Sequence, residues 1–148
     1  MDKELKTYIK NVIKPYYKTF DKGHNIAHFN FVVKNCVNYG KQLKNKGVDI
    51  DLDIAYIVGA FHDIGIRIGR EGHALSSGKI LREDEMLKKY YSQEIIEMMA
   101  QAVEDHSSHL VYEPRNIYGK IVADADRNNT KYLVFSRPLK FDLKNIRE

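Results

Sequence analysis

The chain has 148 residues, 43% of them hydrophobic and 30% charged, with a formal net charge of +4 and a single cysteine, which is the composition of an ordinary soluble domain long enough to bury a core. The lone Cys36 excludes a disulfide framework and a multi-cysteine zinc module, and it suits a reducing cytosol. The longest uninterrupted apolar run, residues 55–61, is too short to span a bilayer, and the alternating charges of the first fourteen residues do not resemble a signal peptide, so the chain reads as one cytoplasmic domain over residues 1–148 with no membrane partner.

In chain order, Leu5, Tyr8, Ile9 and Val12 form a first helical stripe that Pro15 is placed to end. Residues 1–46 also carry ten lysines against three acids. Their spacing is irregular and no Gly-rich or Arg-rich run accompanies them, so they read as a solvated helix face rather than as a nucleic-acid surface. Apolar 3,4 spacing continues over residues 26–43, 54–62, 75–87, 95–106 and 118–129, while "KYLVF" from Lys131 suits helix or strand. There is no internal repeat and no low-complexity segment. The pattern predicts an all-α, single-domain bundle of about six helices.

Within that bundle, "AYIVGAFHDIGI" (residues 55–66) is apolar or small except for the adjacent His62 and Asp63. The dipeptide alone is uninformative: six His and eleven Asp in this length make about 0.4 such pairs by chance. Its setting is informative, because an unpaired charge in a buried stretch costs several kcal/mol and calls for a compensating partner. His28 falls on the stripe of Val32, Cys36, Tyr39 and Leu43, with His24 one turn earlier. His106 follows Ile95, Met99 and Ala102; Asp126 lies one turn after Val122; His73 shares a face with Ser77 and Ile80. Singly, each reads as a hydrogen-bonded core histidine or a helix cap. Together, six inward-facing chelating groups are costly unless they converge. His109, at a helix end, makes no such demand.

Other site chemistries find no support. The chain has no G-x-S-x-G elbow, no phosphate loop and no dinucleotide fingerprint, and Cys36 sits mid-helix on an apolar stripe as a small hydrophobe would. The glycines of "HDIGIRIGREGH" loosen the loop after the His62–Asp63 pair, and Arg67 and Arg70 within it suit either an anionic substrate or plain solvent.

The blocks "GHNIAHFNFVV", "FHDIG", "EGHALSSGKILRE", "QAVEDHSSH" and "IVADADRNN", in this order over about residues 20–130, resemble the HD-domain superfamily of metal-dependent phosphohydrolases. The resemblance implies an all-helical HD-type domain in which His28, His62, Asp63 and Asp126 hold one metal. In branches with two metals, further histidines correspond to His73 and His106, with Asp63 bridging and acting as the catalytic carboxylate. Two departures bear on the pocket: Phe31 stands where many relatives carry a basic residue, and Asn128 where a leucine is common. Ile66 replaces the lysine of the cyclic-dinucleotide phosphodiesterase branch, and that branch's Gly-Tyr-Pro element is absent, which argues against it.

The implied cofactor is one or two divalent ions, with donors that suit Mn, Fe, Ni, Co, Zn or Mg. Such an ion lowers the pKa of a bound water and offsets charge on phosphoryl oxygens. The expected function is hydrolysis of a nucleotide or other small phosphate ester, as a phosphomonoesterase or phosphodiesterase, with Arg67, Lys120 or Arg127 as substrate-binding cations. Two alternatives stand beside it: a diiron HD-type oxygenase, separable by O₂ consumption, and a non-catalytic nucleotide-binding HD protein, which the unbroken set of ligand positions disfavours.

Overall fold

Asp2 starts the first helix by accepting a hydrogen bond from the Glu4 backbone N–H at 2.9 Å, and the chain then winds as α1 (Lys3–Tyr8), a π-turn (Ile9–Ile13) and a 3₁₀ turn opened by Pro15 (Lys14–Thr19). The computed structural model describes residues 1–127 apart from 22, 108, 109 and 111. His109, the end of the last expected helix and the "KYLVF" segment lie outside the described residues. The buried stripe of the first segment is Leu5, Ile9, Ile13 and Tyr17, four apart throughout, which the π-turn keeps on one side. Val12, expected on that stripe, is 42% exposed for the same reason.

Six further α-helices follow: α2 (Ile26–Asn45), α3 (Leu52–Phe61), α4 (His73–Glu83), α5 (Glu85–Tyr90), α6 (Gln93–Glu104) and α7 (Ile117–Arg127), with a 3₁₀ turn (Ile64–Arg67) between α3 and α4. Among the described residues there is no strand. The expected fourth helix is two. Asp84 leaves the helical region with ψ 115° and turns its carboxylate to the Leu87 N–H as the cap of α5, while Tyr8 hydroxyl donates to its other oxygen. Leu75, at the expected start of that helix's apolar face, is 66% exposed.

Caps fix the helix starts that matter for the site. Asn25 accepts from the His28 N–H (3.1 Å), Asp51 from the N–H groups of Asp53 and Ile54, and Asn116 from that of Gly119. α3 runs through the core, all but three of its ten residues buried, and Gly59 lets α2 come close: a Cβ there would meet Cys36 Sγ at 3.1 Å and the Val33 Cα at 3.2 Å. α4 lies against α6, bound by Arg82, which makes paired hydrogen bonds to Glu97 (2.8 and 2.9 Å) and reaches Glu104 (2.6 Å). Arg115 extends this network from Glu104 to the fully buried Asp105, which also accepts its backbone N–H (2.8 Å). No helix among the described residues is long and apolar enough to cross a membrane.

Candidate metal centre

Five separate segments deliver chelating side chains to one place. His28 occupies the first turn of α2; His62 and Asp63 follow the last turn of α3; His73 opens α4; His106 lies just past α6; Asp126 is in the last turn of α7. His62, Asp63 and His106 are almost wholly buried, and His28, His73 and Asp126 are partly exposed at the mouth.

Asp63 is at the centre, and its two oxygens face different partners. Oδ2 lies 3.1 Å from His62 Nε2 and 3.4 Å from His28 Nε2; those two nitrogens are 3.1 Å apart, and Asp126 Oδ1 is 2.8 Å from His28 Nε2 and 3.6 Å from His62 Nε2. Oδ1 lies 3.1 Å from His73 Nε2 and 3.3 Å from His106 Nε2. The ligand atoms of His28, His62, Asp63 and Asp126 form one group, and those of Asp63, His73 and His106 a second, each with all atoms within 4.8 Å and so close enough to hold a metal ion.

Tautomers test whether an ion fits. The Nδ1 atoms of His62, His73 and His106 face backbone carbonyls three residues back, of Gly59 (2.7 Å), Arg70 (3.1 Å) and Val103 (2.6 Å). A carbonyl only accepts, so each Nδ1 carries the hydrogen and each neutral ring turns an Nε2 lone pair towards the Asp63 carboxylate. Lone pairs facing a carboxylate repel it unless a cation lies between them. Asp63 Oδ2, moreover, is a buried oxygen with no hydrogen-bond partner. Imidazole nitrogens and carboxylate oxygens with no thiolate suit a borderline or hard divalent ion.

Without an ion, protons take that place. Burial lowers the affinity of His62 for a proton, but Asp63 and Asp126 outweigh it and push its pKa up to about 10. The same opposition, burial against Asp126 and Asp63, leaves the His28 pKa raised, and the hydrogen bond to Asp63 raises that of His73. Burial works to raise Asp63 and Asp126, yet the surrounding imidazoles hold both carboxyls well below the usual range.

Three residues outside the expected ligand set shape the site. Tyr17, fully buried, donates its hydroxyl to the Ala60 carbonyl (2.8 Å) and accepts the Asp63 backbone N–H (3.1 Å), fixing the turn that aims the carboxylate. His24 stands at the mouth, its ring 5.9 Å from those of both His28 and His73 and its Nδ1 held by Asp21 at 2.8 Å. Its position one turn before His28 is readable in "GHNIAH", whereas nothing in the sequence separates Tyr17 from a core tyrosine. Asp105, beside His106, binds Arg115 and pins the chain that follows α6.

Of the cations expected at the substrate, Arg67 is exposed, stacks its guanidinium 4.4 Å from the Tyr16 ring centroid, and lines a groove of about 490 Å³ with Phe20, Asp21 and Ile66. Arg70 borders the same groove but is ion-paired with Asp21. Lys120 is buried in α7 with its ammonium paired to Glu113, and Arg127 is exposed next to Asp126.

The family model described as "HD domain" matches residues 25–129. The fold is similar to the crystal structure of a predicted HD superfamily hydrolase from an uncultured Thermotogales bacterium, with a TM-score of 0.68 and 24% identity, covering 82% of this chain and 66% of that one. This chain thus spans just under two thirds of that neighbour, and the likeness is one of fold. No curated protein matches the sequence significantly.

Proposed function

The chain belongs to the HD-domain family, and we propose that it is a metal-dependent phosphohydrolase acting on a nucleotide or another small phosphate ester. The observation that carries this reading is the placement of Asp63, one oxygen towards each of two groups of nitrogen and oxygen donors. In it, His28, His62, Asp63 and Asp126 would hold one divalent ion, and Asp63, His73 and His106 a second. When bound, such ions acidify water and neutralise charge on phosphoryl oxygens.

The chain's own groups do the rest. The backbone carbonyls behind His62, His73 and His106 keep the three Nε2 lone pairs aimed inward. Asp63, carboxylate at every physiological pH, orients the attacking water. Arg67 has no carboxylate partner among the described residues, so its guanidinium edge is available to a phosphate while Tyr16 supports its face. His24, its ring 5.9 Å from those of His28 and His73, would be the further imidazole at hand to give a proton to the leaving ester oxygen. The chain is proposed to be cytoplasmic.

The test is elemental analysis of protein purified without chelator or affinity-tag metal, followed by phosphate release from a panel of nucleoside mono-, di- and triphosphates and diesters with each metal found. Phosphate release that chelation abolishes and the cognate metal restores is expected. Failure of every phosphate ester with a metal-filled site would overturn the reading. The placement of Asp63 between the two groups of donors also suits the oxygenase alternative, for which O₂ consumption by the ferrous protein is the discriminating signal.

A further inference from the structure

The chelating side chains account for one end of the bundle, and the lysines of the N-terminal third remain. Lys6, Lys10 and Lys14 each follow by one residue the buried Leu5, Ile9 and Ile13, so they share one flank of the first helical segment. Across from them, α2 places Asn30 and Lys34 one turn apart. The four lysines border a groove of about 270 Å³ whose apolar lining includes Phe29 and Tyr56. The Lys14 ammonium lies 5.8 Å from the Phe29 ring centroid. None of the proposed metal ligands lines this groove.

A solvated lysine face is ordinarily threaded with acids one turn away. Here no carboxylate among the described residues pairs with any of the four lysines. The three acids of residues 1–46 are engaged elsewhere: Asp2 caps α1, Glu4 binds Lys89 and Tyr90, and Asp21 binds His24 and Arg70. Three like charges along one wall therefore share a concave surface with a fourth on the wall opposite, an arrangement that an anion relieves. At about 270 Å³ the groove lies just under the usual range of small-molecule pockets and suits a short, compact anion. Cations on two walls match a chain of adjacent negative groups better than a single one, and the partly exposed Tyr56 offers a flat ring an edge to pack on, while Phe29 is buried beneath the groove.

We propose that this groove is a second binding site, distinct from the metal centre, for a small polyphosphate, either free or as the tail of a nucleotide. The experiment is calorimetric titration of the full-length, metal-loaded protein with tripolyphosphate and with a non-hydrolysable nucleoside triphosphate. The Lys10→Glu/Lys34→Glu double variant is compared with Lys41→Glu/Lys44→Glu, which changes net charge equally on exposed positions further along α2. Saturable binding that weakens at least tenfold in the first variant, is unchanged in the second and leaves metal content intact supports the site. A tighter nucleotide than tripolyphosphate identifies a nucleotide as the source, and equal affinities identify free polyphosphate. No saturable binding by either probe, or equal weakening in both variants, overturns the proposal.

Discussion

At the scale of the residue, the arrangement around Asp63 makes its neighbours separable. His106 faces only Oδ1, so His106→Ala should lose one equivalent of metal while the group of His28, His62, Asp63 and Asp126 keeps the other; metal-to-protein ratios of wild type and variant check this. A wild-type ratio near one at saturating metal, unchanged in the variant, would leave a mononuclear site. Tyr17→Phe removes the hydroxyl that accepts the Asp63 N–H and strands that donor in the core, a cost of about 1 to 3 kcal/mol. Its melting temperature should fall and its metal affinity weaken with the metal count unchanged, whereas a purely packing role would leave affinity alone. The chelating groups were legible because polar residues on apolar helical faces break a pattern. Tyr17 was not, since a tyrosine fits an apolar stripe without comment and its partners lie 43 and 46 positions away.

At the scale of the element, α4 is held against the 3₁₀ turn after Asp63 by a contact that admits no side chain. A Cβ on Gly65 would lie 2.3 Å from the His73 carbonyl and 2.5 Å from the Ser77 N–H nitrogen, both backbone atoms that cannot step aside. Gly65→Ala should therefore destabilise the protein by more than the roughly 1 to 3 kcal/mol usual for overpacking and shift His73 enough to weaken the second group of ligands. Gly78→Ala makes the instructive contrast: its Cβ meets only side-chain atoms of Glu104, Cγ at 2.5 Å and Oε2 at 2.8 Å, which can rotate away, so the strain should fall on the Arg82–Glu104 ion pair and leave metal stoichiometry unchanged. Denaturant melts and metal counts on the two variants check the pair. Helices α2, α3 and α6, and the start of α7, were readable from apolar spacing to within a few residues. The break at Asp84 and the π-turn were not, because both are decided by partners elsewhere, Asp84 by Tyr8 and the turn by the core under Leu5 to Tyr17.

At the scale of the molecule, protons and a metal ion would compete for the same cluster of donors. The pKa of His62 is raised to about 10 against an ordinary 6.5, so in metal-free protein its contribution to stability is complete below pH 6.5 and is lost as pH rises through about 10. Asp63 and Asp126 are held low, so their contribution is present above about pH 4 and lost on acidification. Metal-free protein should melt at a lower temperature at pH 9 than at pH 6, while metal-loaded protein should not, and metal binding near pH 7 should release protons. Melts with and without chelator, and metal titrations in two buffers of different ionisation enthalpy, measure both. Equal melting of the metal-free protein at the two pH values would contradict the assignment.

The ligands' separation along the chain has a kinetic consequence. His28 and Asp126 are 98 positions apart and reach the centre from α2 and α7, helices that also pack on each other. A complete site therefore does not exist until the last long-range contact has closed, which places metal binding after the folding barrier rather than before it. In a chevron, added metal should leave the refolding arm where it is and lower the unfolding arm, so that the ion lengthens the lifetime of the native protein without hastening its birth.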